Sequence, residues 1–268
     1  MKILKNINDL ENSINNVSNL GFVPTMGGLH KGHISLIKKS KKKSNKTLVS
    51  IFVNPMQFDN RKDFKNYPRR IKKDLNILKK LKINFLFLPK NDQILKKRNK
   101  FILRTVDRIM CAKYRKGHFE GVLNIVDKFL YLIKPKYIFL GEKDFQQFFL
   151  IKKYLKNMHK CRFIKCKTIR DKNLVALSTR NYLLSNKSLN TASKIAKILK
   201  KYKRKIVKDK KKFNDIKNIK QNLLKKFRIK IDYLELRNEQ NLKIYNKKNK
   251  FRLFIAYHLN NIRLIDNF

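Results

Sequence analysis

Short apolar runs alternate with longer helical patterns over the first two-thirds of the chain, and this alternation constrains the fold more than any other feature. Strands that alternate with helices are typical of a parallel sheet, because two parallel strands need a long crossover between them. We therefore expect an α/β fold whose N-terminal domain is a Rossmann-like parallel sheet. The apolar runs predict strands at 20–24, 48–53, 85–88 and 137–140, and the helical patterns predict helices at 34–42, 70–81, 122–133 and 144–157.

The composition and the pattern of predicted elements change after about residue 168. Lysine-rich helical segments occupy 189–227, and three β-like stretches follow at 231–236, 251–257 and 262–265. This pattern predicts a smaller α+β domain over residues 169–268, preceded by the parallel-sheet domain over residues 1–168.

The chain is strongly basic, with 68 Lys and Arg against 18 Asp and Glu and a formal net charge of +50. Such a surplus is typical of proteins that bind nucleic acid. Here the lysines lie along the whole sequence, and codon bias from an AT-rich genome explains them more simply, since Lys, Asn, Ile, Phe and Tyr are plentiful while Gly stands at 7 and Trp at 0. We expect no specific nucleic-acid partner, although some of the charge attracts anionic substrates.

The cysteines and the N-terminus indicate a cytoplasmic protein. The 3 cysteines are odd in number and lack Cys-x-x-Cys spacing, which favours a reducing compartment. Apolar runs fall short of the roughly 18 residues that span a bilayer. Residues 1–10 contain Asn and Asp where a signal peptide needs an unbroken apolar region. We expect neither a membrane segment nor export.

A glycine-rich junction at 21–33 carries two histidines, His30 and His33, where an apolar strand gives way to a helix. Backbone N–H groups at a helix start lack intrahelical partners, and glycines let a polyphosphate approach them closely. Both imidazoles would face one side of the first turn, where they could donate to a phosphate. The same spacing also fits zinc ligands or ordinary helix residues.

Polar clusters also follow two other predicted strands, at the edge where parallel sheets place their functional loops. Asn54 and Gln57 are amides that can both donate and accept, which suits a hydroxy acid, although a simple Asn-Pro turn is the alternative. Lys143 and Asp144 follow the strand at 137–140, and Gln147 comes round one helical turn later.

Three further groups fit a phosphate or substrate site, and each could equally be a surface turn. Residues 115–119 combine two cations, a glycine and a histidine, and residues 177–181 place two hydroxyls and a guanidinium in one loop. Tyr67 could cap a pocket. Asp74 could reach a magnesium ion through water, but its position is more typical of an ordinary carboxylate on a helix surface.

Taken together, these segments resemble the pantoate–β-alanine ligase family of the nucleotidyltransferase superfamily with the His-x-Gly-His signature. His-x-Gly-His marks only the superfamily, whereas the segments 54–58 and 141–147 in this order are specific to the ligases. The resemblance runs nearly from end to end, through residues 23–33, 51–58, 63–69, 117–122, 141–147, 176–181, 231–237 and 263–267.

The resemblance implies ATP-dependent condensation of (R)-pantoate with β-alanine to give pantothenate, through a pantoyl adenylate, with release of pyrophosphate and AMP. Two alternatives stay open at this point. A different adenylyl- or cytidylyltransferase of the superfamily would share both histidines but use another acceptor. A non-enzymatic binder of nucleic acid would bind tightly with a steep salt dependence.

The resemblance also implies roles for individual residues. His33 would be the acid at the departing pyrophosphate, His30 its partner at the phosphates, and Lys143 would balance charge on the α-phosphorus. The residues that would line the ATP site, including a lid from the C-terminal domain, are Met26, Gly27, Gly28, Leu29, His30, Lys31, Gly32, His33, Gly141, Glu142, Lys143, Asp144, Ile169, Leu177, Ser178, Thr179 and Arg180. The residues that would bind the other substrates are Gln57, Gln147, Asn54, Tyr67 and His118.

Mg²⁺ would accompany ATP as a cofactor, and the family is typically a homodimer with the strand near 50–53 at the interface. Lys73 stands beside Asp74 where the family often carries a second acidic residue, which weakens any protein ligand for magnesium there. We therefore expect no protein metal site, with Mg²⁺ held mainly by ATP oxygens.

Overall fold

The protein is described from a computed structural model that covers residues 1–58, 61–95, 101–246 and 250–268. The chain divides into two compact units, Met1–Thr168 and Ile169–Phe268. Within the described ranges, no helix has the length and apolar character needed to cross a membrane.

The first unit is built on a six-stranded parallel sheet with the order β1-β4-β3-β2-β5-β6. Its strands are β1 Lys2–Leu4, β2 Leu20–Thr25, β3 Lys46–Ile51, β4 Phe85–Phe87, β5 Tyr137–Gly141 and β6 Arg162–Cys166. Its α-helices are α1 Ile7–Ile14, α2 Lys31–Lys43, α3 Arg61–Asn66, α4 Ile71–Lys80, α5 Asn91–Leu95, α6 Cys111–Tyr114, α7 His118–Ile133 and α8 Phe145–Leu155. The predicted α/β fold is confirmed.

Both faces of this sheet are covered by helices, as side chains that alternate along each strand require. On one face, Val23 of β2 packs in a cluster with Leu36 and Ile37 of α2 and Leu78 of α4. On the other face, Phe129 of α7 makes edge-to-face ring contacts with three further phenylalanines. These are Phe22, Phe52 and Phe87, at centroid distances of 5.7, 5.9 and 6.0 Å. Each buried aromatic side chain contributes about 1.5–3 kcal/mol through removal from water.

The second unit is an antiparallel sheet packed against two helices, which confirms the predicted α+β class. The strands β7 Lys230–Asn238, β8 Phe251–Leu259 and β9 Ile262–Asn267 pair in that order. The helices α9 Asn186–Lys208 and α10 Ile216–Phe227 correspond to the lysine-rich segment. Their apolar residues, such as Leu199 and Tyr202, join the core of the sheet, and many of their lysines remain exposed.

Three strands that end side by side position the candidate site. β2 pairs with β3 on one side, with Thr25 opposite Ile51, and with β5 on the other. Because the strands are parallel, the segments that follow them meet at one edge of the sheet. Residues 26–33, 52–58 and 142–147 therefore converge.

Candidate active site

The loop after β2 contains two glycines in the left-handed region, Gly27 at φ +79° and Gly28 at φ +62°. Side chains other than glycine are strained at such angles. Space is also tight, since a Cβ on Gly27 would lie 3.1 Å from Oδ2 of Asp74 and 3.2 Å from Cγ2 of Ile51. The loop needs glycine at Gly27 for both conformation and close approach.

Asp74 of α4 anchors this loop. Its Oδ2 accepts a hydrogen bond from the Gly28 N–H and its Oδ1 accepts one from the Leu29 N–H, each at 2.8 Å. Asp74 is 1% exposed. The expectation of a helix-surface carboxylate is therefore wrong, because α4 turns Asp74 and Leu78 inward. Both carboxylate oxygens are engaged by the loop, which also argues against a role as a magnesium ligand.

His30 and His33 cap the start of α2 reciprocally. His30 is the N-cap residue, and its Nδ1 accepts from the Gly32 N–H at 3.0 Å, while Nδ1 of His33 accepts from the His30 N–H at 3.4 Å. A neutral ring that accepts at Nδ1 carries its hydrogen on Nε2. The ring centroids lie 4.1 Å apart. The two imidazoles are thus fixed as a pair of Nε2–H donors.

This arrangement corrects the expected anion site. The sequence suggested unpartnered backbone N–H groups at the helix start, but those of Gly28, Leu29, His30 and Gly32 already donate to side chains. The helix start still offers the two ring N–H groups to an anion, with the exposed Lys31 beside them. His30 also lies at the cap rather than within the first turn.

Both imidazoles are neutral at pH 7. Burial, followed by the neighbouring His30 and Lys143, lowers the pKa of His33 to about 3. Burial and then Lys143 lower the pKa of His30 to about 4, with Asp144 acting weakly in the opposite direction. His33 in this state donates an N–H rather than storing a proton for transfer.

Lys143 follows the end of β5, and its positive charge acts on both histidines. Its Nζ lies 3.1 Å from Oδ1 of Asp144, and its side chain is 17% exposed. Asp144 occupies the N-cap position of α8 but makes no side-chain bond to the backbone there, and its carboxylate pairs with Lys143. Glu142, on the other side of Lys143 in the sequence, forms an ion pair with Lys165 on β6 at 3.1 Å.

Gln57 joins the loop after β3 to the loop after β2. Its Nε2 donates to Sδ of Met26, and its Oε1 accepts from Nδ2 of Asn54 at 3.3 Å. Asn54 is buried and also donates to the Gly121 carbonyl at 3.0 Å. The structure therefore brings the predicted phosphate loop and the predicted hydroxy-acid amides into direct contact.

Comparison with known proteins decides what kind of site this is. The pantoate-beta-alanine ligase family matches residues 2–268. The chain belongs to the pantoate–β-alanine ligase family. The family resemblance of the sequence is confirmed, and with it the identification of the chain as an enzyme that ligates pantoate to β-alanine.

Individual ligases are similar over their whole length. A pantothenate synthetase from Francisella tularensis subsp. novicida is 35% identical over 271 residues, with 99% of this chain and 95% of the relative covered. One from Fervidobacterium nodosum is 34% identical over 275 residues, covering 100% and 98%.

Solved ligase structures share the fold. A pantothenate synthetase from Thermus thermophilus superposes with a TM-score of 0.91 at 25% identity, covering 100% of this chain and 99% of that one. A pantoate-β-alanine ligase from Francisella tularensis, complexed with β-γ ATP and β-alanine, gives a TM-score of 0.86 at 35% identity, covering 100% and 97%.

Gln147 and Tyr67 are two further residues of the ligase that the sequence predicted to bind substrate. Gln147 lies half-buried in the first turn of α8. Its neighbour Gln146, which sequence reasoning missed, is buried and bonds the Cys111 N–H at 3.0 Å and the Ile109 carbonyl at 2.7 Å. Tyr67 is buried with its ring 5.4 Å from that of Phe58, so it contributes to an aromatic cluster.

The predicted lid residues of the ligase lie in the second unit. The Leu177 N–H donates to the Ile169 carbonyl at 3.0 Å, which closes a short loop. Ser178 caps a 3₁₀ turn by accepting from the Arg180 N–H at 3.3 Å, and Thr179 is buried. The Ser178 hydroxyl thus has a structural bond of its own.

No group of three or more His, Cys, Asp or Glu side chains within the described ranges is arranged to hold a metal ion. Asp74 is bonded by two N–H groups and Asp144 by Lys143. The residues of the candidate site therefore do not fit a metal held by the protein alone.

Proposed function

We infer that the ligase activates pantoate with ATP and then transfers the pantoyl group to β-alanine. A pantoate carboxylate oxygen attacks the α-phosphorus, and the bond to the bridging oxygen breaks so that pyrophosphate leaves. The β-alanine amine then attacks the acyl carbon, the bond to AMP breaks, and the amine loses a proton to solvent. A carboxylate is a poor acyl donor, and adenylation supplies a better leaving group.

His30, His33 and Lys143 would act on the phosphates. In the first step negative charge grows on the oxygen that joins the leaving pyrophosphate, and two fixed Nε2–H donors can stabilise it without reorganisation. The Lys143 ammonium, close enough to depress both imidazole pKa values, adds a positive charge for the α-phosphoryl oxygens. We propose for His33 hydrogen-bond donation to pyrophosphate, since its pKa of about 3 leaves it neutral.

Gln57 and Gln147 would hold pantoate, and Gln57 would also meet β-alanine. An amide can donate to a carboxylate and accept from a hydroxyl at the same time, which suits a dihydroxy acid. Substrate would take over the bonds that Gln57 makes to Met26 and Asn54. Asn54 and Tyr67 complete the proposed substrate residues, and His118 contacts the backbone carbonyl of Gln57.

Residues 26–33 and 141–144 would contact ATP, and Ile169 with residues 177–180 would form a lid that excludes water from the labile adenylate. Hydroxyl and guanidinium groups in one loop suit a triphosphate. Mg²⁺ would enter as part of the nucleotide substrate, coordinated by phosphate oxygens.

We further propose a cytoplasmic homodimer without a specific nucleic-acid partner. β3 lies between β2 and β4, so its backbone is already paired on both edges. The dimer contact near residues 50–53 must therefore come from side chains and from the segment after Ile51. A net charge of +50 on each protomer opposes association at low salt.

The observation that carries the proposal is the paired capping of α2 by His30 and His33 next to Lys143. The test is formation of AMP and pyrophosphate from ATP, pantoate and β-alanine by wild type and His33→Ala, with each substrate omitted in turn. AMP that requires both pantoate and β-alanine, and that collapses in His33→Ala, supports the proposal. A stable nucleotidyl product without any need for an amine would indicate a different transferase instead.

A further inference from the structure

The backbone carbonyl of Gln57 receives two hydrogen bonds from one segment of the chain. Nδ1 of His118 lies 2.6 Å from this oxygen, and Nη2 of Arg115 donates to it at 3.1 Å. The two donors also contact each other, because Nη1 of Arg115 lies 3.0 Å from Nε2 of His118. His118 is only 9% exposed. Both of its ring nitrogens are therefore engaged within the protein.

The chemistry of the partners fixes the tautomer of His118. A carbonyl oxygen can only accept, so Nδ1 must carry the hydrogen. A guanidinium can only donate, so Nε2 must accept and the ring is neutral. This is the reverse of His30 and His33, whose Nδ1 atoms accept from backbone N–H groups. A relay of bonds runs from Arg115 through His118 to Gln57.

A second set of contacts joins α7, the helix that begins at His118, to residues 54–57. Nδ2 of Asn54 donates to the Gly121 carbonyl at 3.0 Å, and a Cβ on Gly121 would lie 2.5 Å from the Met56 carbonyl oxygen. The start of α7 thus contacts the Asn54 side chain and the backbone carbonyls of Met56 and Gln57. The Gln57 side chain projects from a backbone with little freedom to shift.

We propose that His118 is a positioning residue that sets the Gln57 amide for pantoate and β-alanine, with Arg115 fixing its tautomer. This rests on the proposed role of Gln57 in binding both substrates. The resemblance places His118 among the substrate contacts, whereas here it acts through the carbonyl of Gln57. Misplacement of a binding group by about 1 Å costs roughly 100-fold in the rate of an oriented reaction.

Two isosteric substitutions separate the ring nitrogens. In His118→Asn the amide nitrogen can occupy the place of Nδ1 and donate to the Gln57 carbonyl. In His118→Gln it falls near the place of Nε2, which leaves the carbonyl without this donor. We expect His118→Gln to raise KM for pantoate and β-alanine about tenfold, the effect of one lost hydrogen bond, with KM for ATP little changed. His118→Asn should stay within about threefold of wild type.

The control is His159→Asn, whose amide nitrogen falls near the place of Nδ1 and so cannot keep the bond that Nε2 makes. His159 lies in the same unit and pairs with Asp127 at 2.7 Å, so its loss weakens folding without touching Gln57. It should lower thermal stability while leaving both KM values unchanged. Equal KM values for His118→Asn and His118→Gln would overturn the proposal, as would a rise in KM for all three substrates alike.

The tautomer gives a readout that does not depend on activity. In protein with ¹⁵N-labelled histidine, long-range ¹H–¹⁵N correlation should show His118 protonated at Nδ1, and His30 and His33 at Nε2. A hydrogen on Nε2 of His118 would overturn the relay. If wild type fails to turn over pantoate and β-alanine, the proposed function fails, and the tautomer still decides whether the relay exists.

Discussion

The carboxylate of Asp74 accepts a hydrogen bond of 2.8 Å from the Gly28 N–H, which lies 46 positions away in the sequence. With its second bond, to the Leu29 N–H, it sets the path of the loop that delivers His30 and His33. The carboxylate is bonded to the loop backbone, and the two imidazoles belong to the helix start into which the loop leads. Asp74 thus shapes the proposed phosphate site while its own carboxylate is bonded to the loop backbone.

Replacement of Asp74 by Asn should therefore disturb the loop that leads to His30 and His33. An amide retains one acceptor but turns an NH₂ group toward a backbone N–H, so one bond becomes a donor–donor contact. We expect a loss of about 1–3 kcal/mol in the free energy of unfolding and a higher KM for ATP. Asp92→Asn, an exposed position in the same unit, is the control. Rescue of Asp74→Asn by excess Mg²⁺ would contradict this account, because it would indicate a metal ligand.

The histidine pair predicts a specific pH dependence of stability. The folded state holds the pKa of His33 at about 3 and that of His30 at about 4, against a reference value of 6.5 for both. Between these limits the unfolded chain binds more protons, so the free energy of unfolding falls as the pH drops from 6.5 toward 4. Above pH 7 both rings are neutral in both states, and the contribution is constant.

Comparison of wild type with His33→Asn isolates this effect, because Asn keeps an acceptor for the helix cap and does not titrate. We expect the stability difference between them to shift in favour of the variant as the pH falls below 6.5. Urea unfolding followed by circular dichroism at several pH values measures it. A difference that stays constant from pH 8 down to about pH 4 would contradict neutral histidines in the folded state.

Gly121→Ala should destabilise the protein, against the usual preference for Ala inside a helix, which is worth about 1 kcal/mol. The added Cβ would meet the Met56 carbonyl oxygen, and α7 or the Gln57 loop must move. We expect a loss of about 1–3 kcal/mol together with a higher KM for pantoate. Gly117→Ala meets no atom within 4 Å but sits at φ +77°, so it reports backbone strain alone. A stabilised Gly121→Ala would show that the close approach is not maintained in solution.

Arg170 in the second unit should matter for ATP through the loop it holds. Its two terminal nitrogens bond Oδ1 and Oδ2 of Asp266 at 2.8 and 2.7 Å, and one also donates to the Leu174 carbonyl at 2.8 Å. Lysine cannot reproduce this fork, so Arg170→Lys should cost about 2 kcal/mol and raise KM for ATP. Lys172→Ala removes an exposed cation from the same loop and should do neither. Thermal unfolding and initial rates at varied ATP test both variants.

Salt should stabilise this protein. Exposed lysines repel one another at low ionic strength, whereas the acidic partners of Arg170 and Lys153 are buried and screened less. We expect the thermal midpoint to rise between about 10 mM and about 150 mM NaCl. A fall over that range would mean that surface ion pairs outweigh the repulsion.

Sequence alone predicted the parts of the fold that local patterns determine. β2, β3, β4 and β5 are apolar runs, and the observed strands overlap the predicted ranges with ends shifted by up to two residues. β1 and β6 were not predicted. β1 has three residues, and β6, which like β1 lies at a sheet edge, carries charged residues at Arg162 and Lys165. Neither carries the continuous apolar signal of a central strand.

The site was predictable where its residues follow strands, and less so where they depend on distant partners. The convergence of His30, Lys143 and Gln57 follows from a parallel sheet. The burial of Asp74 does not follow from the sheet. Lys72 and Lys73 precede Asp74 and suggest an exposed helix surface, and the N–H groups that it bonds belong to the distant loop after β2. The backbone contact of His118 is equally invisible, although a glycine at Gly121 inside a helical pattern is a signal of close approach.

The order of the strands also determines when a site can exist during synthesis. β2, which leads into both histidines, lies between β3 and β5, so one of its edges has no partner until residues 137–141 have emerged. Lys143 arrives only then. A translation product that stops short of β5 carries both histidines and Asp74 but presents an open apolar edge. Such a truncated product is a substrate for chaperones and proteases rather than a partly active enzyme.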